Sequence, residues 1–391
     1  MKSLINTGIY KLRQDQGGNV SFNTIFGEHI TALRHTEILE QFQYNINTNT
    51  LTTAVANGGT VTQADSMAVL TSSTATNGSA NLASKQSLRY RPGHEGYVFF
   101  TAMWPNGGVA GAKQYIGLLD ANDGYFLGYN GTNFVVGRRD ATTDYTTSDF
   151  NEDQEFTAKF DNTKLNIFMI TYGWLGVAPI QFWWMNEKGQ YILIHKMKTP
   201  NVLTKPSISQ PAVPVSMNIT KTSGATSIIM KSGSWHAGIS HDGDVKGDRW
   251  FSGTISKTGV TTEAVIVSFQ NLTTFQGRAN KVKVVGKLFG MSADSTKNSI
   301  IKIYKNLAIG GSPSWSNVDA TNSVMQIDTA GTVTPSDSAL EFSFPMAKNE
   351  AKEIDVSTFE IFLLPGETST ITGQGAQSTD FTFTARWAEG F

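Results

Sequence analysis

The sequence predicts an all-β protein built mainly from antiparallel sheets, and three observations support this. Thr, Ser, Asn, Gly and aromatic residues dominate the chain, and they suit pleated strands and turns better than helices. Short segments alternate apolar with polar residues, which is the period of a strand. Between them lie Asn-Gly and Asp-Gly pairs, the dipeptides of tight hairpin turns. These pairs occur at residues 57–58, 77–78, 106–107, 123–124, 130–131 and 242–243.

The clearest strand is 181–185, where aromatic residues fall on both faces. Trp183 shares one face with Gln181 and Met185, while Phe182 and Trp184 share the other. This strand is therefore expected to be covered on both sides. The segment 191–197 also alternates, and residues 186–189 have the right length for a hairpin loop between the two.

Two further strands are predicted near the C-terminus. In 340–346 every second residue is large and apolar, with Glu341 and Ser343 between them, so one face should be solvated. In 381–387 the residues Phe381, Phe383, Ala385 and Trp387 share one face. We expect this last strand to close a sheet instead of forming a loose tail.

Shifts in composition predict three regions. Residues 1–30 are polar and contain glycine, which indicates a short N-terminal attachment segment, and 31–44 fits neither a helix nor a strand well. A large jelly-roll or lectin-like sandwich is predicted over 31–240, and a smaller C-terminal β-sandwich over 248–391, separated by a stretch rich in Gly and Asp. Prolines 200, 206, 211 and 214 are interpreted as an extended crossing at a sheet edge.

Composition excludes several classes of function. The 391 residues carry 31 basic and 32 acidic side chains, a net charge of -1. Because there is no excess of positive charge to bind a phosphate backbone, no nucleic-acid partner is expected. There is no cysteine, which removes thiol nucleophiles and cysteine metal sites and fits assembly in a reducing cytosol. No apolar run has the length of a signal peptide core or a membrane span, so no membrane partner is expected.

Several sequence stretches resemble a known family. RYRPG at 89–93, DANDGYFLGYNG at 120–131 and YGWLG at 172–176 resemble a module of structural proteins of tailed bacteriophages and some large DNA viruses. The second part resembles the usual companion of that module. Its matching stretches are KIYKN at 302–306, LPGE at 364–367 and RWAEGF at 386–391. The resemblance implies a virion protein of a fibre, tail or capsid-surface appendage, and it supplies no catalytic residues.

Motifs for metal, phosphate or nucleophilic chemistry are incomplete. His236 and His241 precede three aspartates, but an EF-hand loop starting at Asp242 would place Lys246 at a ligand position and Gly253 where Glu belongs. Residues 107–113 lack the spacing of a phosphate loop. No Gly-x-Ser-x-Gly elbow is present, so a catalytic triad is not supported. We therefore expect no metal, no cofactor and no catalytic residues.

Two sets of residues remain as candidates for glycan chemistry. Acidic residues cluster at Asp144, Asp149, Glu152, Asp153 and Glu155, and a pair of carboxylates is the machinery of a glycosidase. Such clusters are more often solvated loops. Tryptophans can stack on sugar rings, and of Trp174, Trp183, Trp184 and Trp235, the last is the best candidate for exposure because of its Gly-rich neighbours. Trp235 and Trp174 are the predicted carbohydrate-binding residues.

These observations predict a non-enzymatic structural protein of a phage surface appendage, such as a tail fibre, baseplate or head fibre. It would be assembled in the host cytoplasm and would contact other virion proteins. Presenting one domain outward would allow contact with a host receptor or surface glycan. A homo-oligomer is expected, with a trimer as the first choice, because symmetric closure covers sheet edges. The alternatives are a glycan-degrading depolymerase, a capsid decoration protein and a plain carbohydrate-binding module.

Overall fold

The computed structural model describes residues 34–150, 154–240, 248–359 and 361–390. Strands dominate these ranges, which confirms the predicted all-β class. The helices in the same ranges are one short α-helix, α1 (Gln154–Lys159), and two 3₁₀ turns, Asp337–Ala339 and Ser357–Phe359. The chain divides into two compact units between residues 243 and 244. The predicted attachment segment 1–30 lies outside the described residues.

The first unit is a sandwich of two antiparallel sheets, the jelly-roll or lectin-like arrangement that was predicted. Its six-stranded sheet contains, in spatial order, β1 (Arg34–Gln41), β16 (Ser234–Ser240), β6 (Gly96–Ala102), β11 (Asn166–Tyr172), β12 (Ile180–Met185) and β13 (Tyr191–Met197). Its seven-stranded sheet contains β10 (Thr143–Thr147), β9 (Asn133–Asp140), β8 (Gly124–Asn130), β7 (Ala112–Leu119), β14 (Val213–Lys221), β5 (Ser79–Leu88) and β2 (Leu51–Ala56). A three-stranded sheet contains β15 (Ile229–Ser232), β4 (Met67–Thr71) and β3 (Thr60–Ala64).

The core of the first unit lies between its two large sheets. Fully buried side chains of both sheets meet there, among them Phe168 from β11 and Met217 from β14. The strand predicted over 181–185 is β12, with Phe182 and Trp184 in this core and Trp183 buried on the opposite face. The expectation that this strand is covered on both sides is confirmed. Its hairpin to β13 is also present.

The last proline of the proline-spaced stretch begins a strand. Pro214 is the second residue of β14 and pairs with Ser87 of β5, whereas the ladder to β7 begins one residue later, at Val215. The pairing of β14 with β5 shifts register between Pro214 and Ser216. Proline, which has no N–H, is tolerated at the start of a strand and next to such an irregularity.

The second unit is also formed by two large antiparallel sheets. One contains β17 (Asp248–Phe251), β32 (Thr379–Glu389), β22 (Val284–Asp294) and β29 (Glu350–Asp355), with β18 (Ile255–Val260) on β32 and β30 (Phe362–Leu363) on β22. The other contains β25 (Ser316–Asn317), β26 (Met325–Asp328), β19 (Ala264–Asn271), β31 (Thr368–Gly375), β23 (Ser299–Lys305) and β28 (Leu340–Met346). Two ribbons pair β20 (Thr274–Phe275) with β21 (Arg278–Ala279), and β24 (Ile309–Gly310) with β27 (Thr332–Val333).

The last long strand closes the second unit, as its alternation predicts. β32 pairs with β17, β18 and β22. Phe381, Phe383 and Trp387 are buried in the core, where the Trp387 ring lies 5.8 Å from the ring of Phe269 in the opposite sheet. Burying several large aromatics on one strand makes that strand a main source of the unit's stability.

Candidate functional site

The outer face of the seven-stranded sheet forms a groove of about 970 Å³. Alternation along the strands creates it, because residues that do not point into the core must point outward. In β7, Ile116 and Leu118 belong to the core, so Lys113, Tyr115 and Leu119 lie on the outer face. Residues of β2, β5, β8, β9 and β14 and of the adjoining loops complete the lining.

Two asparagines form the most distinctive part of the groove floor. Asn218 of β14 lies directly opposite Tyr115 of β7 on one side and Asn81 of β5 on the other. Both asparagine side chains are half-buried and line the groove. Within the described chain, neither amide group makes a side-chain hydrogen bond. Each amide therefore offers two N–H donors and a carbonyl acceptor to a ligand.

Next to the asparagines, two aromatic rings lie stacked on the sheet. The rings of Tyr115 and Phe126 are 4.1 Å apart at an angle of 26°. Gly137 of β9 lies opposite Phe126 and leaves room for its ring, since a Cβ atom at Gly137 would lie 3.1 Å from that ring. The Tyr115 hydroxyl is buried without a hydrogen-bond partner among the described residues. Burial, together with the negative charge of Asp144, raises the pKa of Tyr115, so the hydroxyl stays protonated.

An ion-paired trio borders the aromatic rings. The Asp144 carboxylate accepts hydrogen bonds from Lys113 Nζ and Arg139 Nε, both at 2.7 Å. Arg139 also donates to the backbone oxygen of Asp120 at 2.9 Å. Burial alone would raise the pKa of Asp144, but the bonds and charges of Arg139 and Lys113 outweigh it and hold the pKa below its usual value. Asp144 is therefore ionised at neutral pH and cannot serve as a proton donor there.

The predicted carbohydrate-binding tryptophans do not line this groove. Trp235 is only 1% exposed, so its predicted exposure is wrong. It lies on the core side of β16 and packs edge to face on Phe42, with ring centroids 4.9 Å apart. Its glycine neighbour Gly238 marks close strand packing, since a Cβ there would lie 1.9 Å from a backbone oxygen of His35.

Trp174 is partly buried against the core of the first unit. Its ring lies 5.3 Å from that of Tyr90, and its indole Nε1 donates to the backbone oxygen of Ile208 at 3.1 Å. Both its ring and its polar atom are therefore engaged within the protein. Trp174 therefore packs against the core and does not line the groove.

The predicted acidic cluster separates into groups with different partners. Asp144 belongs to the trio in the groove, whereas Glu155 of α1 pairs with Lys159 at 3.3 Å and accepts a bond from Asn186. Glu152 and Asp153 lie outside the described residues. Asp144 and Glu155 are thus each paired with basic side chains, Asp144 with Lys113 and Arg139 and Glu155 with Lys159.

His236 and the aspartates that follow it are the residues of the incomplete metal motif in the sequence. The His236 ring stacks on Phe99 at 4.7 Å, and burial, with a contribution from Arg34, lowers the pKa of His236. His241, Asp242 and Asp244 lie outside the described residues. In the ranges that the structure does describe, no three His, Asp or Glu side chains come together as metal ligands. Within the same ranges, none of the helices has the length and apolar character needed to cross a bilayer.

The groove residues Asn81, Asn218 and Arg139 are not among the residues predicted from the sequence. Asn81 and Asn218 are far apart in sequence, and only the pairing of β5 with β14 brings them together. One local signal was available: Met217 and Ile219 are core residues, so the polar Asn218 between them had to lie on the outer face of a strand.

The structure was compared with known proteins. No family model matches the sequence, and no curated protein is significantly similar to it. The fold resembles a cellulose-induced protein with a TM-score of 0.33 and 14% identity, over 51% of this chain and 96% of that chain. Lectin II from Ulex europaeus matches with a TM-score of 0.32 and 10% identity, over 52% of this chain and 99% of that chain. An endo-β-1,4-glucuronan lyase from Trichoderma reesei matches with a TM-score of 0.32 and 8% identity, over 52% of this chain and 95% of that chain. At these TM-scores and identities the similarity does not assign a ligand or a reaction.

Proposed function

We propose that the protein is a non-enzymatic structural protein of a virion surface appendage, and that its first unit binds a host-surface glycan in the groove. The binding role is supported by the side-chain amides of Asn81 and Asn218, which line the groove and have no hydrogen-bond partner in the described chain. The sequence resemblance to structural proteins of tailed phages supports the virion role.

The chemistry of the groove suits a sugar. Sugars present adjacent hydroxyl groups that both donate and accept hydrogen bonds, and side-chain amides can do both at once. The outer residues around the two asparagines are small or polar, with Thr220 exposed beside Asn218 on β14 and Ala54 of the edge strand β2 opposite Asn81. The groove volume of about 970 Å³ falls within the range of ligand clefts in proteins.

Binding without cleavage fits the carboxylates of the groove. Hydrolysis of a glycosidic bond needs one carboxyl group that remains protonated near neutral pH and a second as nucleophile or base. Asp144 is held ionised by Arg139 and Lys113. Asp120 Oδ1 accepts bonds from the backbone N–H groups of Asn122 and Asp123, which is a turn-forming role.

The binding role is tested with the purified chain on an array of bacterial surface glycans. We expect selective binding to a subset of glycans, and no release of reducing ends when the same glycans are incubated with the protein. Release of sugar would show a depolymerase, and that outcome would contradict the non-enzymatic proposal. Absence of binding to every glycan would contradict the receptor role and leave attachment and decoration as the function.

The appendage role includes self-association and contacts to other virion proteins. We propose a cyclic homo-oligomer, with a trimer as the first choice, because repeating one contact covers the free strand edges of each copy. Mass photometry of the purified chain and a map of the assembled particle test this directly. A chain that stays single both in solution and in the particle would contradict the oligomer, and absence from the particle would contradict the virion role.

A further inference from the structure

The two most exposed large apolar side chains of the described chain line one pocket. Tyr44 is 83% exposed and Leu39 is 72% exposed. Both border a cavity of about 560 Å³ at the end of β1, which we call the β1 pocket. A single exposed apolar side chain is ordinary on a protein surface, but two that meet at one concavity mark a candidate binding site.

The floor of the β1 pocket belongs to the outer face of the six-stranded sheet. Phe99 is part of an apolar cluster separate from the core, so it points outward. The register places His236 of β16 opposite Phe99, and Leu39 of β1 opposite His236. Two residues further along, Gln41 pairs with Ser234 on the same face. The pocket therefore lies on the opposite side of the sandwich from the groove.

Tyr44 projects from a loop that is anchored on both sides. Phe42 and Ile46, two residues before and two residues after it, are buried in the core. The Phe42 ring packs on Trp235 at 4.9 Å, and Gln63 Nε2 donates to the backbone oxygen of Phe42 at 3.0 Å. Because these contacts fix the loop, a ligand that binds the exposed ring has little backbone freedom to remove.

Polar groups surround the exposed ring. The Gln41 amide, the Ser234 hydroxyl and the His236 ring nitrogens make no hydrogen bond to any described residue. Asn45 and Asn47 each use Oδ1 to accept a backbone N–H of their own loop, which leaves both side-chain NH₂ groups as donors. The pocket thus combines one aromatic ring with several donors and acceptors.

The charges of the β1 pocket favour an uncharged ligand. Among the described residues that line it, none is Lys or Arg. Burial, with a contribution from the charge of Arg34, lowers the pKa of His236, so its ring is neutral at neutral pH. Burial also raises the pKa of Glu40, the carboxylate of the lining. A phosphate, sulfate or uronate would find no cation here to pair with.

We propose that the β1 pocket is a second carbohydrate site, which binds a neutral pyranose against the ring of Tyr44. A pyranose has an apolar C–H face, which suits an amphipathic aromatic ring, and a rim of hydroxyl groups, which suits the amides and the hydroxyl of the floor. The site goes beyond the proposed groove and does not depend on it. Two sites on opposite faces would let one chain hold two glycan strands at once and gain avidity.

A protein partner fits this pocket less well than a sugar. Its apolar part is limited to Leu39 and Tyr44, and the remaining lining is mostly polar. An apolar side chain placed there would bury Gln41, Ser234 and His236 without hydrogen-bond partners, which costs free energy for each group. A sugar would satisfy the same groups.

The test uses the full chain with the groove disabled by Asn81→Ala and Asn218→Ala, so that a failure of the groove and a failure of the β1 pocket are distinguishable. The probes are the methyl glycosides of glucose, galactose, mannose and N-acetylglucosamine, titrated by saturation-transfer NMR. We expect at least one of them to bind with a Kd of about 1 mM or below. Adding Tyr44→Ala should weaken that binding at least about tenfold, or about 1.4 kcal/mol.

Two variants serve as controls. Tyr44→Phe keeps the ring and should keep the affinity within about threefold. Val202→Ala removes an apolar side chain that is 67% exposed in the same unit but does not line the pocket, and it should change nothing. Methyl glucuronide should bind more weakly than its neutral parent, methyl glucoside.

Four results would overturn the proposal. They are no binding of any neutral glycoside, full affinity in Tyr44→Ala, an equal loss in Tyr44→Phe, and tighter binding of the glucuronide. If Tyr44→Ala instead dissociates an oligomer and leaves sugar binding unchanged, the pocket is a contact between copies, and the proposal is again wrong.

Discussion

Buried Glu389 in the second unit and the groove asparagines of the first unit use their polar groups in opposite ways. In the second unit the Glu389 carboxylate is fully buried and accepts bonds from Ser323 Oγ at 2.6 Å, Val324 N at 2.9 Å and Trp387 Nε1 at 2.9 Å. In the groove of the first unit the amides of Asn81 and Asn218 have no hydrogen-bond partner in the described chain. Glu389 thus closes the fold of the second unit, whereas the two groove amides remain available to a ligand.

Other carboxylates of the second unit follow the same rule. Asp328 is buried and accepts bonds from the backbone N–H groups of Ser314 and Gly331. Glu263 accepts bonds from Lys302 and from the Tyr304 hydroxyl. Because a buried charge without partners is costly, such bonds keep the connected strands together. Substitutions of these bonded carboxylates and their partners should therefore change stability, and substitutions of Asn81 and Asn218 should change binding.

The largest expected effect is on the strand that closes the second unit. Trp387→Ala removes a buried indole that packs on Phe269, which should cost about 3 to 5 kcal/mol. Calorimetry should show a lower melting temperature for the second unit alone. Phe251→Ala, at an exposed position of the neighbouring strand β17, is the matched control and should change little. Unchanged melting of Trp387→Ala would mean that the unit closes elsewhere.

A smaller loss is expected when Glu389 loses one partner. Ser323→Ala leaves one oxygen of a buried carboxylate with fewer donors, which should cost about 1 to 3 kcal/mol. Chemical denaturation measures this loss. Ser338→Ala, at an exposed serine of the same unit, serves as control. Equal stability of the two variants would show that the hydrogen bond from Ser323 to Glu389 does not stabilise the second unit.

The ion-paired trio of the groove should make the first unit sensitive to acid. The pKa of Asp144 is lowered in the folded protein, so its contribution to stability is complete above the unfolded value near 4 and is lost as the pH falls through the folded value. Asp144→Asn should reduce stability by about 1 to 3 kcal/mol at neutral pH and by less in acid. Melting curves between pH 7 and pH 2 measure this, and a loss that stays constant over that range would contradict the assignment.

Local sequence patterns predicted the strands well because burial on one face repeats every second residue. β12 and β32 are recognisable from five to seven residues each, without knowledge of their partners. The groove could not be predicted in this way, since Asn81 meets Asn218 only through long-range pairing. Trp235 was misjudged because glycine neighbours suggest exposure, whereas Gly238 here serves the close approach of β1.

We expect the amides of Asn81 and Asn218 to serve a ligand and not the fold. Titrating the best glycan from the array into the double variant Asn81→Ala and Asn218→Ala tests this expectation. We predict a loss of affinity of at least about tenfold, the equivalent of one or two lost hydrogen bonds, with unchanged melting. Thr382→Ala with Thr384→Ala, on the second unit, is the control and should bind normally. Full affinity in the groove variant, or a large loss of its stability, would contradict the account.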